Sequence, residues 1–182
     1  SVMKNPMIDL IMSRRSIRQY SEEPVSEEML KLIVECGIHA PTARNKQSWH
    51  FTVMTDHTTI ETVNEMILAG MDRLGIKKEA GYHVFYHAPV VIFLSSAIEG
   101  FSEINCGCAI ENIALAAKSL GLGSVIVGQT RYMFHQANVV DVNRLLKIPE
   151  GVEHVGAFCL GQPAGADPER ETIREGVVDY IR

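Results

Sequence analysis

The 182-residue sequence is poor in the features that mark unusual protein classes. Aromatic residues make up 7% of the chain and charged residues 21%, and the seven prolines and 14 glycines form no repeat or linker. The longest apolar runs, such as 90–94, are far shorter than the roughly 18 residues of a membrane-spanning helix. These shortages exclude collagenous, disordered and membrane-spanning classes and predict an ordinary globular protein.

Cysteine and basic residues are scarce as well. The four cysteines lack the density and regular spacing of a secreted disulfide framework, which favours a reducing, cytoplasmic location. Seventeen Lys and Arg residues against 22 Asp and Glu residues give a net charge of −5, which argues against a general electrostatic grip on nucleic acid or anionic lipid. We therefore expect no nucleic-acid and no membrane partner, and any basic cluster has to be local.

The apolar pattern predicts helices that alternate with strands. Helices are indicated over 6–13, from the capping residue Ser26 to about 37, from about 57 to 74, over 101–120 and over 135–147, and strands over 49–55, 89–96, 123–129 and 152–160. Because no linker divides the chain, we predict one domain over 1–182, built as a three-layer α/β/α sandwich. Periodicity alone does not determine whether the strands run parallel or antiparallel.

The stretch 14–18 concentrates positive charge in an acidic chain. Arg14, Arg15 and Arg18 surround Ser16 directly after the first helix. Arginine presents a planar fork of donors that matches phosphate oxygens, and the serine hydroxyl adds another donor. The stretch therefore indicates a local anion site, although a solvated helix end with favourable dipole charges explains the same residues.

Two further stretches favour binding of a flat heterocycle. The loop 40–51 contains small residues with Asn45 and Gln47, whose amides offer both donors and acceptors, which suits the mixed edge of a heterocycle such as the flavin pyrimidine. Gly128 closes a strand and lets a flat ring approach the backbone. A plain connecting loop contains similar residues, and the glycines of 121–123 precede a strand, so they do not match a dinucleotide fingerprint.

Together, RRSIRQY at 14–20, APTARNKQSW at 40–49 and GLGSVIVG at 121–128 resemble the FMN-dependent nitroreductase family in order and spacing. The resemblance continues to the Gly-Gln-Pro turn at 161–163 and the arginine-containing tail. It implies an α+β sandwich with a central mixed sheet and a C-terminal tail that extends onto the partner subunit. It also implies an obligate homodimer with FMN at the subunit interface.

The resemblance assigns cofactor contacts residue by residue. The phosphate is expected to contact the side chains of Arg14 and Ser16 and the backbone of Arg15 and Ile17, whereas Arg18 lies near the N1 and O2 edge of the ring. The ring is expected to be covered by Pro41, Thr42, Ala43 and Asn45 of the partner subunit, with Gln47 alongside, and to rest on Ile126, Gly128 and Gln129 near N5. In the tail, Arg170 occupies the place of a phosphate-binding arginine, with Arg174 as the alternative.

The implied activity is transfer of hydride from NADH or NADPH to an organic acceptor, nitroaromatic or quinone, by a ping-pong mechanism. The flavin N5 receives the hydride, so we nominate no catalytic side chain, and the seven histidines show no metal-ligand spacing. A non-catalytic flavin-binding or flavin-sensing dimer, or a specialised flavin reductase or dehalogenase, shares the same cofactor residues. The stretch 69–86 matches no pattern, so the acceptor is left open.

Overall fold

The structure is a computed structural model that describes residues 5–135 and 139–182, and only the backbone of 139–141. The elements in chain order are α1 (Pro6–Ser13), α2 (Glu27–Ile38), β1 (Trp49–Met54), α3 (His57–Arg73), β2 (Val90–Ala97), α4 (Ser102–Ser119), β3 (Gly123–Val127), α5 (Val139–Leu145) and β4 (Val152–Gly161). Short 3₁₀ segments span Ala43–Asn45 and Gly128–His135. We call the second one the 128–135 segment.

Three helices begin at side chains that accept a hydrogen bond from the first helical turn. Asn5 caps α1, Ser26 caps α2 and Asp56 caps α3. Each oxygen satisfies one of the backbone N–H groups that a helix start leaves without a partner. The expected helices at 6–13 and after Ser26 are thereby confirmed, and the helix expected from about 57 to 74 is found with its cap at Asp56.

The four strands form one sheet in the order β1-β2-β4-β3, and every neighbouring pair is antiparallel. Beyond β3, Ser16 forms an isolated parallel bridge with Ser124, and the Ile17 N–H donates to the Ser124 carbonyl at 2.9 Å. The expected mixture of strand directions is thus limited to this one bridge among the described residues. The α+β class is confirmed.

Alternation along the strands creates two cores, one on each face of the sheet. Val91 and Phe93 of β2 pack with α3 and the 128–135 segment, whereas Ile92 and Leu94 pack with α2 and α4. Because successive strand residues point to opposite faces, both faces of β2 are apolar and both are covered. The expected three-layer α/β/α arrangement results. In the described part of the chain, no helix has both the length and the apolarity to cross a bilayer.

Much apolar surface lies outside these cores. Helix α1 buries none of its residues. The tail after β4 forms no helix or strand and exposes five large apolar side chains: Ile173, Val177, Val178, Tyr180 and Ile181. Apolar surface of this extent on terminal elements is typical of a protein that buries them against another chain.

Three polar groups form a series of hydrogen bonds beside the sheet. The Thr130 hydroxyl donates to the Val127 carbonyl at 3.2 Å and lies 2.9 Å from Nε2 of His154. Since the hydroxyl proton is engaged, Nε2 of His154 carries a proton and donates it to Thr130. Nδ1 of His154 then has no partner among the described residues, and burial lowers the pKa of this imidazole to about 4.

His154 therefore predicts a loss of stability in acid. Between about pH 6.5 and pH 4 the unfolded chain binds a proton that the folded protein does not, so the stability present above pH 6.5 falls with pH, by about 2 kcal/mol at pH 5. Urea unfolding at pH 7 and pH 5 measures this loss. His154→Gln keeps an N–H donor without titrating and is expected to lose less, whereas the exposed control His57→Gln keeps the full loss. An equal loss in all three proteins would contradict the assignment.

Candidate functional site

Residues 14–18 lie in extended conformation beside β3, where a fifth strand would be. Gly123 permits this approach, because a Cβ at that position would lie 2.7 Å from Cγ1 of Ile17. In an extended segment alternate side chains share a face, so Arg14, Ser16 and Arg18 point to one side and buried Ile17 to the other. At about 3.3 Å per residue, Arg14 and Arg18 are separated by roughly 13 Å along the segment.

These side chains line an open cavity of about 440 Å³, which we call the arginine cavity. Its wall includes Arg14, Arg15, Ser16 and Arg18, together with Arg170 of the tail. The Arg170 guanidinium donates to the Met12 carbonyl at the end of α1. The structure thus brings Arg170 together with Arg14, whereas Arg174 does not line this cavity.

Two side chains of the arginine stretch already have protein partners. Nη1 of Arg15 donates to the carbonyls of Met12, at 3.2 Å, and Arg14, at 2.9 Å, so its side chain holds the end of α1. Nε of Arg14 lies 3.6 Å from Oε1 of Glu111 on α4. That pair is partly exposed and therefore weak, so the Arg14 guanidinium can still bind an anion.

A second, smaller cavity of about 210 Å³ adjoins Arg14 and Arg15. Its wall includes Lys118 from the last turn of α4, together with Gly121 and Ser124. Sequence reasoning missed Lys118, because only the packing of α4 against β3 brings this residue to the same cavity as Arg14 and Arg15. The positive surface is therefore larger than the stretch 14–18 alone.

The loop 41–47 has unusual backbone geometry. Arg44, Asn45 and Gln47 adopt φ values of 56°, 52° and 49°, in the left-handed region that side chains avoid. The loop is held by the buried amide of Asn105, whose Oδ1 accepts the Ala43 N–H at 3.1 Å. Strained backbone that the surrounding structure maintains is typical of binding sites.

Side chains inside the loop hold one another. The Thr42 hydroxyl accepts the Gln47 N–H at 3.1 Å, and Nε2 of Gln47 donates to Oδ1 of Asn45 at 3.0 Å. Pro41 precedes this network at the end of α2. The amides of Asn45 and Gln47 are thereby fixed near the surface, where both are exposed.

The loop and the arginine cavity lie at opposite edges of the sheet. The loop leads into β1 at one edge, and the arginine stretch flanks β3 at the other. Four steps of about 4.8 Å separate them, or roughly 19 Å. No residue of 41–47 lines the arginine cavity. A single chain therefore does not bring the two groups of predicted site residues together.

The end of β3 forms a flat, open surface. Ile126 is 61% exposed, although its neighbours Val125 and Val127 are buried. A Cβ at Gly128 would meet only Nη1 of Arg131, at 3.8 Å, so no packing within this chain requires a glycine there. Gln129 follows, half-buried. We call this surface of Ile126, Gly128 and Gln129 the ledge. Since it lies beside the arginine stretch, it fits a flat ring that carries a phosphate, which is the chemistry of FMN.

The structure also brings together three potential metal ligands that are far apart in sequence. The ligand atoms of Glu61, His83 and His87 lie within 4.8 Å of one another, and Nε2 of His83 lies 2.8 Å from Oε1 of Glu61. Sequence reasoning missed the cluster, because it joins α3 to the loop before β2. Spacing within the sequence gave no signal for it.

The hydrogen bonds of His83 indicate that this cluster stabilises the turn before β2 rather than binding a metal ion. Nδ1 of His83 accepts the N–H groups of Phe85 and His87, both at 3.2 Å, so the ring proton is on Nε2 and is donated to Glu61. A metal-bound histidine normally donates its second ring N–H to an acceptor, which is the opposite polarity. Burial lowers the pKa of His83, in agreement with the neutral ring that these hydrogen bonds indicate.

Comparison with known proteins gives concordant results. The model of the Nitroreductase family matches residues 11–162. One relative is a Methanothermobacter thermautotrophicus protein whose name gives two activities, NADH dehydrogenase and NAD(P)H nitroreductase. It is 32% identical over 166 residues, which are 90% of this chain and 80% of the relative. A Bacillus subtilis protein named FMN reductase is 26% identical over 191 residues, or 97% of this chain and 73% of the relative.

Two solved structures share the fold over nearly the whole chain. A nitroreductase of Bacteroides fragilis with bound FMN has a TM-score of 0.88 and 28% identity, and covers 98% of this chain and 100% of its own. A nitroreductase of Desulfitobacterium hafniense with bound FMN has a TM-score of 0.87 and 26% identity, and covers 99% of this chain and 100% of its own.

Proposed function

Because this chain belongs to the nitroreductase family, we propose that it is an FMN-dependent oxidoreductase that oxidises NADH or NADPH and reduces an organic acceptor, nitroaromatic or quinone, by a ping-pong mechanism. The observation that carries the proposal is the arginine cavity, where Arg14, Ser16 and Arg18 share a wall with Arg170. Four arginines line this cavity in an acidic chain, and two of them, Arg14 and Arg170, together suit a phosphate dianion. We further propose that the chain is cytoplasmic, since its four cysteines are unpaired. We also propose that it is one domain, since both cores pack on the same sheet.

In this proposal the residues of the chain bind and orient the cofactor. Arg14, Ser16 and Arg170 hold the phosphate, and the backbone of Arg15 and Ile17 adds contacts. Arg18, roughly 13 Å further along the segment, places positive charge at the N1 and O2 edge. The ring rests on the ledge of Ile126, Gly128 and Gln129, where no Cβ of residue 128 keeps it away from the backbone. When bound, FMN supplies the acceptor of hydride, so no side-chain nucleophile is required.

We also propose that the active form is a homodimer with FMN at the interface. The partner's loop would then supply the ring contacts of Pro41, Thr42, Ala43, Asn45 and Gln47, which one chain keeps roughly 19 Å from its own arginine stretch. The exposed tail would pack on the partner, and an apolar groove of about 620 Å³ between α2 and the edge strand β1 offers room for it. An interface that covers the tail and α1 is expected to exceed about 2,000 Å² in total.

The dimer can be tested near the start of α4, where Asn105 holds the 41–47 loop that the proposed interface includes. The preceding residue, Ile104, is 63% exposed, so Ile104→Asp leaves the folded core intact and places a charge beside that loop. We expect the variant to be monomeric by light scattering at micromolar concentration and to bind FMN at least about tenfold more weakly, a loss of roughly 1.4 kcal/mol. Leu74→Asp, at the C-cap of α3, is the matched control and is expected to stay dimeric. Wild-type protein that is monomeric while loaded with FMN would contradict the dimer.

Anaerobic reduction tests the activity. We expect FMN-loaded protein to lose its visible flavin absorbance when NADH or NADPH is added, and to regain it when a nitroaromatic or quinone follows. A yellow protein that neither nucleotide bleaches would instead support the non-catalytic flavin-binding or flavin-sensing alternative. Restoration by free FMN or by a halogenated substrate alone would favour the specialised reductase or dehalogenase.

A further inference from the structure

The guanidinium of Arg131 is fixed beside the ledge at the end of β3. Its Nη1 donates to the Gly128 carbonyl at 3.1 Å, and its Nη2 donates to the hydroxyl of Tyr132 at 2.8 Å. The guanidinium carbon also lies 4.6 Å above the centre of the Tyr132 ring. Two hydrogen bonds and a cation–π contact therefore hold this charge in one orientation.

The segment that carries Arg131 is itself held tightly. Gly70 of α3 approaches the 128–135 segment so closely that a Cβ there would lie 1.8 Å from the Tyr132 carbonyl oxygen. The rotation of the Tyr132 backbone is thereby restricted, and with it the position of the guanidinium. A cation fixed before a ligand arrives loses little conformational entropy on binding.

Most of the donors of Arg131 are available to a ligand. Arg131 is exposed, and among the described side chains no carboxylate pairs with it. A guanidinium has five N–H groups, and the contacts with Gly128 and Tyr132 use two of them. The remaining three have no partner among the described residues, and the charge is not paired with a carboxylate there, which favours an anionic ligand.

We propose that Arg131 binds a phosphate group of the reducing nucleotide and so favours phosphorylated dihydronicotinamides as hydride donors. This inference rests on the proposed function, which places the site of hydride transfer over Gly128. With the flavin ring on that ledge, a donor stacks its nicotinamide on the open face of the ring, and its phosphates then extend beyond the ring edge towards the neighbouring guanidinium. Nitroaromatic and quinone acceptors in general lack this group, so Arg131 acts on the first half of the reaction only. The phosphate comes either from the pyrophosphate of both nucleotides or from the 2′-phosphate of NADPH.

The test compares donors with and without phosphate on FMN-loaded protein. Arg131→Gln removes the charge but keeps an N–H donor for the Gly128 carbonyl. We expect it to raise KM for NADPH about 10- to 150-fold, as expected for loss of one charge-assisted hydrogen bond, and to leave KM for N-benzyl-1,4-dihydronicotinamide unchanged. Equilibrium binding of NADP⁺, followed through the flavin spectrum, is expected to weaken by the same factor. Arg73→Gln, which removes an exposed arginine from the end of α3, is the matched control.

The donors also distinguish the two phosphates. A loss for NADPH alone assigns the contact to the 2′-phosphate, whereas an equal loss for NADH assigns it to the pyrophosphate. An equal loss for the phosphate-free donor, or no loss for any donor, would overturn the inference and leave Arg131 as a brace for the end of β3. If no donor bleaches the wild-type protein, the proposed function fails, while NADP⁺ binding to the two proteins still decides the role of Arg131.

Discussion

Replacement of Arg14 by Ala is expected to release FMN from the purified protein. Arg14 lies where the wall of the arginine cavity meets α4, and its guanidinium would donate to the cofactor phosphate. Loss of a charge-assisted hydrogen bond costs about 1.5 to 3 kcal/mol, which corresponds to a roughly 10- to 150-fold weaker affinity. The measurement is the FMN dissociation constant of reconstituted apoprotein, followed by quenching of flavin fluorescence.

Glu111 sharpens this test. Without Arg14, the Glu111 carboxylate, which lies 3.6 Å from Nε of Arg14, loses this partner and would repel a phosphate bound nearby, so the double variant Arg14→Ala/Glu111→Gln is expected to recover part of the affinity. Arg14→Lys keeps the charge but not the fork and is expected to fall between Ala and wild type. Arg73→Ala changes the net charge equally and is expected to bind as wild type does. Wild-type affinity in Arg14→Ala, together with release of FMN from Arg170→Ala, would assign the phosphate to the tail arginine alone.

Local chemistry explains which elements the sequence could predict. Ser26 and Asp56 each accept a backbone hydrogen bond within their own helix start, so their role is visible in a few neighbouring residues. The continuous apolar run of β2 likewise predicts a strand buried on both faces. The strand expected over 123–129 instead ends at Val127, because the 3₁₀ segment begins at Gly128. The helix expected over 135–147 is found only as α5, and residues 136–138 lie outside the described chain.

Contacts between distant residues explain what the sequence could not predict. The bridge between Ser16 and Ser124 depends on which strand lies at the sheet edge, and periodicity does not order strands. Arg44 and Asn45 adopt left-handed backbone conformations although neither is a glycine, so their residue types do not predict this geometry. Arg131 follows Gly128 by only three residues, yet nothing in that spacing says that its side chain folds back onto the strand end. The resemblance predicted which residues contact the cofactor, whereas the fold determines how far apart these residues lie.

Gly70→Ala is expected to destabilise the protein by about 3 kcal/mol. In an ordinary helix the same change stabilises, because glycine loses more backbone entropy on folding than alanine does. Here the added methyl group would lie 1.8 Å from the Tyr132 carbonyl oxygen, and that neighbour is backbone, which cannot rotate away. Helix α3 and the 128–135 segment therefore have to separate, and the core that contains Ile67 and Met133 loosens with them.

The same separation moves the candidate site, because Gly128 and Arg131 lie on the segment that Gly70 contacts. We therefore expect Gly70→Ala to lower both the midpoint of urea unfolding and the affinity for FMN, whereas a purely structural defect elsewhere would lower the first alone. Gly100→Ala is the matched control: its Cβ would have no neighbour within 4 Å and its φ lies outside the left-handed region, so its stability is expected to stay within about 0.5 kcal/mol of wild type. Wild-type stability in Gly70→Ala would show that the segment shifts freely, and it would remove the physical basis for a fixed guanidinium at Arg131.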